Sequence, residues 1–391
     1  MNRDNFFIFC EACRILLHIM KMKIVCNYAY VFATYAKGIY DREDTLKKKT
    51  CSILAAVCMA CLLALPLAAC KAHKDNAATD AKEASVEEFD PSKKTIYATF
   101  FPVADLTKRI VGDKMNVKTI IKPNQEPHSF ELGAKDMAEI QAADLVVYNG
   151  AGMESFIPDL RASIGDDSKF LDLSQGLELL QHKSAQGLSD LADGETLDSA
   201  PDVEVVKDAD KHSGETPAGV NPHTWLSIKN AMTSLDTIFK KVSVMDPENA
   251  EYYKKNYAKA LLEFQALDKK FETTLANVPE DRRYFVASHA AFNYLARDYK
   301  LKQVAVTGIS PEDEPTAAQL STIADFVHKH HITTIFFEGT ATPKVANTLA
   351  ESTGAHTSTL YTMENLSEDD IKTGYIGLME KNLDALMESF N

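Results

Sequence analysis

Three of the chain's eleven histidines, His128, His223 and His289, stand in short stretches that could turn an imidazole toward a shared cleft: EPHSFEL, NPHTWLS and SHAAFNYL. Three neutral imidazoles with one oxygen ligand make a tetrahedral site that suits a borderline-soft ion such as Zn²⁺, at about 2.0–2.1 Å per nitrogen. A hard ion such as Mg²⁺ or Ca²⁺ would want oxygen ligands instead. Spacing alone does not join the three, because 95 and 66 residues separate them and no local metal motif links them. The fold must bring them together.

The other histidines have plainer settings. His328, His330 and His331 end a predicted helix, where polar and cationic side chains suit the helix dipole, so a structural role is expected. His356 reads as a surface residue. His18 lies near the N-terminus, His73 in a polar stretch, and His182 and His212 in or beside an acidic segment.

The elements that would position the site follow a βα rhythm. TIYATF, VKTIIK, DLVVYN and KFLDL are short β-rich runs separated by helical patterns, and YFVAS, LKQVAV, TTIFFE and AHTSTLY repeat the rhythm later. Strands alternating with helices favour parallel sheets covered on both faces. The expected class is α/β, with two lobes, each a mainly parallel sheet flanked by helices, joined by one long α-helix. His128 follows VKTIIK and His289 follows YFVAS, and ligands of open parallel sheets bind outside the carboxyl ends of the strands.

Between the lobes, Tyr253, Tyr257, Leu261, Phe264, Phe271 and Leu275 recur at helical intervals, Asp246-Pro247 supplies a start, and no Gly or Pro interrupts before Pro279. This predicts one amphipathic helix of roughly 45 Å. The expected organisation is an N-terminal lobe over 95–243, a linking helix over 244–280 and a C-terminal lobe over 281–391. Residues 181–219 form an acidic segment without apolar period. It reads first as a flexible surface loop, and otherwise as a weak cation collector through its carboxylates, His182 and His212.

Composition narrows the function. A formal charge of −14 argues against a nucleic-acid partner. All seven cysteines fall at or before Cys70, so no thiol holds the later residues. Lys47-Lys48-Lys49, an apolar run and Leu67-Ala68-Ala69-Cys70 have the form of a signal peptide over 47–69. Leu-Ala-Ala-Cys resembles the lipobox of bacterial lipoproteins, with Cys70 as the lipidated first residue and 70–94 as a flexible tether. Residues 1–46 are then an unneeded leader, expected to be untranslated, with synthesis starting at Leu46 from a non-AUG codon. Residues 1–69 hold 9 Lys and Arg against 5 Asp and Glu, so the remainder carries about −18.

EPHSFEL, NPHTWLS and SHAAFNYLARDYKL, in this order after a lipobox, together resemble the metal-binding lipoproteins that serve as solute-binding components of zinc and manganese ABC importers. ADLVVYNGAGMESF, GISPEDEPTAAQL, IFFEGTATP and NLSEDDIKTGYIGLMEKNLDAL extend the likeness from Thr95 to Phe390. The resemblance implies a metal in the cleft between the lobes, with His128 and His223 as N-lobe ligands and His289 as the first C-lobe ligand. Manganese-preferring members often carry a carboxylate where this chain has His289, so Zn²⁺ is expected over Mn²⁺ or iron, a manganese- or iron-binding member of the same family being the alternative. A carboxylate late in the C-lobe completes the set in relatives, and Glu364 matches it, although Tyr361-Thr362-Met363 departs from the usual preceding residues. Water, Glu338 and Glu126 are the other candidates.

The implied partners are an ABC permease, its ATPase and, through the lipid, the extracytoplasmic face of the cell membrane, with the protein a monomer. Delivery would move the lobe of His289 relative to His128 and His223, by a small amount if one stiff helix joins the lobes. Two rivals use the same residues. A zinc hydrolase would keep a water on the metal and a base such as Glu126 or Glu338 beside it; no catalytic residue is otherwise indicated. A metal-dependent adhesin would use the ion for structure.

Overall fold

The computed structural model describes residues 89–182, 203–205, 219–338 and 344–390, all within one compact unit, Val86–Asn391. The leader, signal peptide, Cys70, His73 and His212 lie outside the described residues.

The first sheet holds β1 (Thr95–Ala98), β2 (Asn116–Thr119), β3 (Leu145–Tyr148) and β4 (Phe170–Asp172), parallel throughout in the order β2-β1-β3-β4. Every residue of β3 is buried, as a strand covered on both faces requires. The helices α1 (Phe101–Val111), α2 (Ala134–Ile140) and α3 (Ile157–Ile164) alternate with these strands. Residues expected at the end of the tether are pinned to the sheet: Asp90 N donates to Asn116 Oδ1 at 3.1 Å, and Asn116 Nδ2 donates to Asp90 O at 2.7 Å.

Part of the acidic segment has regular structure. β5 (Leu180–His182) pairs antiparallel with β6 (Val203–Val205). In its register Leu180 lies opposite Val205, Gln181 opposite Glu204 and His182 opposite Val203. After it come α4 (Ile228–Met245), whose N-cap Ser227 accepts from Asn230 N, and α5 (Ala250–Leu275).

At 26 residues α5 runs about 39 Å, shorter than its apolar period suggested. Asp246 is non-helical and Pro247–Asn249 forms a 3-10 turn, anchored by Tyr253 Oη donating to Asp246 Oδ2 at 2.6 Å. Tyr253, Ala260, Phe264, Leu267, Phe271 and Leu275 form its buried stripe.

The second sheet holds β7 (Tyr284–Ala287), β8 (Lys302–Ala305), β9 (Thr334–Phe337) and β10 (His356–Thr359), parallel in the order β10-β9-β7-β8. Its helices are α6 (Asn293–Tyr299), α7 (Ala317–Lys329), α8 (Lys344–Thr353) and α9 (Glu368–Phe390). Thr316 and Gln319 close a reciprocal capping box on α7.

The C-terminal helix α9 reaches back to pack on α5 and α1 as well as on β7 and β10. It kinks at Gly374, whose φ of 75° suits a residue without Cβ and which lies over the Asp105–Arg109 pair of α1. A second helix therefore braces the lobes beside α5. One apolar cluster runs from Ile96 and Leu106 through Phe264 and Phe271 to Phe285, Leu383 and Leu386. The opposite face of the second sheet has its own cluster around Val286, Ile323 and Ile335.

Candidate metal centre

His289 stands two residues beyond β7, and Ser288 N, donating to Phe336 O at 2.9 Å, carries the sheet pattern to its doorstep. His128 lies on the longer loop between β2 and α2. His223 precedes the 3-10 turn Thr224–Leu226 that leads into α4. Glu364 follows β10, just after Met363, whose φ of 64° turns the chain.

These four side chains meet. The Nε2 atoms of His128 and His223 are 3.3 Å apart, and those of His223 and His289 are 3.1 Å apart. Glu364 Oε1 lies 3.1 Å from His128 Nε2 and 2.9 Å from His223 Nε2, while Oε2 lies 3.6 Å from His289 Nε2. All four donor atoms fall within 4.8 Å of one another. A tetrahedron with arms of about 2.0–2.1 Å has edges of about 3.3–3.4 Å, and the separations of 2.9–3.6 Å given above lie around that value. Nitrogen lone pairs held this close repel unless a cation or proton sits among them.

Burial sharpens the chemistry. His223 and His289 are fully buried and Glu364 nearly so, whereas the His128 side chain is 12% exposed and forms the outer wall. Burial pushes His223 down to about 4, against the pull of Glu364. His289 behaves oppositely: burial lowers it, but Glu338 and Glu364 outweigh burial and raise it to about 9. For Glu364 the cost of burial is overcome by His223 and His128, which hold it well below the carboxylate range.

The other carboxylates stand apart from this set. Glu338 faces the far side of the His289 ring, 2.5 Å from Nδ1. Glu126 Oε1 accepts from His128 N at 3.1 Å within its own loop, and burial followed by the nearby Glu364 raises its carboxyl. Among the remaining histidines, His330 packs its ring at 4.4 Å from Tyr284 and 4.3 Å from Phe326, and His328, His331 and His356 are exposed. His182 ends β5.

The side chains that hold the candidate ligands in place have little signature in the sequence. Asn221 Oδ1 faces His223 Nδ1 at 2.8 Å, and Asn221 Nδ2 donates to Ala290 O at 2.7 Å and Asn293 Oδ1 at 2.9 Å. Tyr294 Oη also donates to Asn221 O at 2.8 Å. The segment of His223 is thus tied to the segment of His289 and also to the first lobe, where Asn149 Nδ2 donates to Pro222 O at 2.8 Å and Thr224 Oγ1 donates to Asn149 Oδ1 at 2.7 Å. A small polar residue two places before a candidate ligand is the only signal the sequence offered.

A family model described as "Zinc-uptake complex component A periplasmic" matches residues 96–389. The high-affinity zinc uptake system protein ZnuA of Bacillus subtilis is 37% identical over 300 residues, covering 76% of this chain and 88% of that protein. The zinc-binding lipoprotein AdcA of Streptococcus pneumoniae is 36% identical over 351 residues, 88% of this chain; the match spans only 61% of that longer protein. Among solved structures, the Zn(II)-bound ZnuA-like domain of that streptococcal AdcA superposes with a TM-score of 0.60 at 35% identity, covering 76% of this chain and 98% of the domain.

Proposed function

The chain belongs to the zinc-uptake component A family, and on that premise we propose that it captures Zn²⁺ outside the cell membrane and delivers it to an ABC permease and its ATPase. The observation that carries this reading is the convergence of three Nε2 atoms and the Glu364 carboxylate on tetrahedral spacing. His128, His223, His289 and Glu364 are the proposed ligands. Nitrogen-rich ligation favours Zn²⁺ over Mn²⁺. With Glu364 ionised, the ion and its four ligands carry about one positive charge.

The protein is proposed as a monomer held by a lipid on Cys70, its folded body on the extracytoplasmic side; the word lipoprotein in the streptococcal relative's name supports this. Binding, rather than catalysis, is its task. A zinc hydrolase keeps an open position for water, and here a fourth protein donor stands where that water would sit. His128 is the least buried of the proposed ligands, with a side chain 12% exposed, so we propose that release begins with His128 leaving the ion.

Competitive titration tests the proposal. The chain from Lys71 onward should bind one equivalent of Zn²⁺ and hold it against excess Mn²⁺; retention of Mn²⁺ in preference to Zn²⁺ would overturn the assignment.

A further inference from the structure

Glu338 is a buried carboxylate that the ligand set does not use. It follows β9 directly, is 6% exposed, and sends Oε1 to within 2.5 Å of His289 Nδ1. The Ser288 hydroxyl donates to the same oxygen. Its partner ring presents the opposite nitrogen, Nε2, to His223 and Glu364. The matching position on His223 is filled by a neutral amide oxygen, that of Asn221.

We infer that Glu338 is a positioning residue for the ion: it accepts the Nδ1 proton of His289, fixes the tautomer that leaves the Nε2 lone pair for the metal, and brings a second carboxylate charge to the site. The inference rests on the proposed zinc site. A ring free to turn in its pocket would present Nε2 only part of the time, and a carboxylate behind an imidazole makes the imidazole a stronger donor. The charges also balance, since Glu364 and Glu338 together match a dication in a cavity where a net charge is costly. Asn221 orients His223 without adding charge. The two buried imidazoles therefore differ in donor strength, with His289 the stronger.

Glu338→Gln and Glu338→Ala in the full chain separate these roles. Gln keeps an acceptor oxygen and removes the charge; Ala removes both. The expected result is a zinc affinity about 10- to 100-fold weaker in Glu338→Gln and weaker still in Glu338→Ala. The visible absorption of bound Co²⁺ should change in both, since it reports the ligand field rather than the fold. If Glu338→Ala does not fold, Glu338→Gln decides alone. Wild-type affinity together with a wild-type Co²⁺ spectrum in the variants would overturn the inference and leave the zinc site standing. A wild-type chain that binds no zinc in the same titration would overturn both.

Discussion

Trp225 donates its indole N–H to the carbonyl of Thr362 at 2.7 Å, joining the segment of His223 to that of Glu364. The Trp225 ring also lies 5.2 Å from the His223 ring, and Tyr375 Oη on α9 donates to Trp225 O at 2.5 Å. Two proposed donors of the centre are therefore held by one aromatic residue.

Trp225 is the chain's single tryptophan, so tryptophan emission comes from this one position. Adding Zn²⁺ should change the emission and saturate at one equivalent. A signal that continues to change well beyond one equivalent would place the responsive site elsewhere.

Replacing His223 by Ala removes a fully buried donor that faces both Glu364 and His289. Zinc affinity should fall by about 100-fold or more, as for loss of a ligand that no water can replace in a buried site. The metal-free protein should melt close to the wild type, because the apolar core runs through α5 and both sheets independently of the centre. Calorimetric melting with a competition titration checks both halves.

The pH dependence follows from His289. Zinc binds only the unprotonated ring, and His289 keeps its proton up to about 9. At neutral pH each captured ion should therefore displace about one proton, and apparent affinity should fall about tenfold per pH unit below 9. His223, held near 4, adds no proton competition at neutral pH. In the metal-free fold the raised His289 value stabilises fully below its ordinary 6.5, and that contribution is lost as pH rises through about 9. Calorimetry in buffers of different ionisation enthalpy counts the protons; a count near zero at pH 7 would refute this assignment.

Deleting residues 184–214 should leave the tight site unchanged, because none of the four proposed donors comes from that segment. The deletion removes β6, so the β5–β6 pairing is lost while the two parallel sheets keep all their strands. Loss of stoichiometric zinc binding would show that the acidic segment contributes to capture.

Much of the fold was legible because its strands are short apolar runs bounded by polar loops, and because the stripe from Tyr253 to Leu275 repeats at helical intervals. The helix ends were less legible: Asp246-Pro247 looks like a helix start, yet the chain spends Pro247–Asn249 on a 3-10 turn. The return of α9 onto α1 depends on a kink at Gly374, and one glycine in a helical pattern does not announce a contact with Asp105 and Arg109. At the candidate centre, position after a strand end drew attention to His128 and His289, but equally to Glu338. Which face of His289 each carboxylate meets is a matter of tertiary packing. Met363 adopts a left-handed turn that its side chain does not favour, so the approach of Glu364 had no local signature.

The most direct test is X-ray absorption at the zinc edge on the chain loaded with one equivalent of Zn²⁺. The expected spectrum shows four light-atom ligands at about 2.0–2.1 Å, with multiple-scattering features of three imidazoles and one carboxylate oxygen. Six oxygen-dominated ligands, or fewer than three imidazoles, would contradict it.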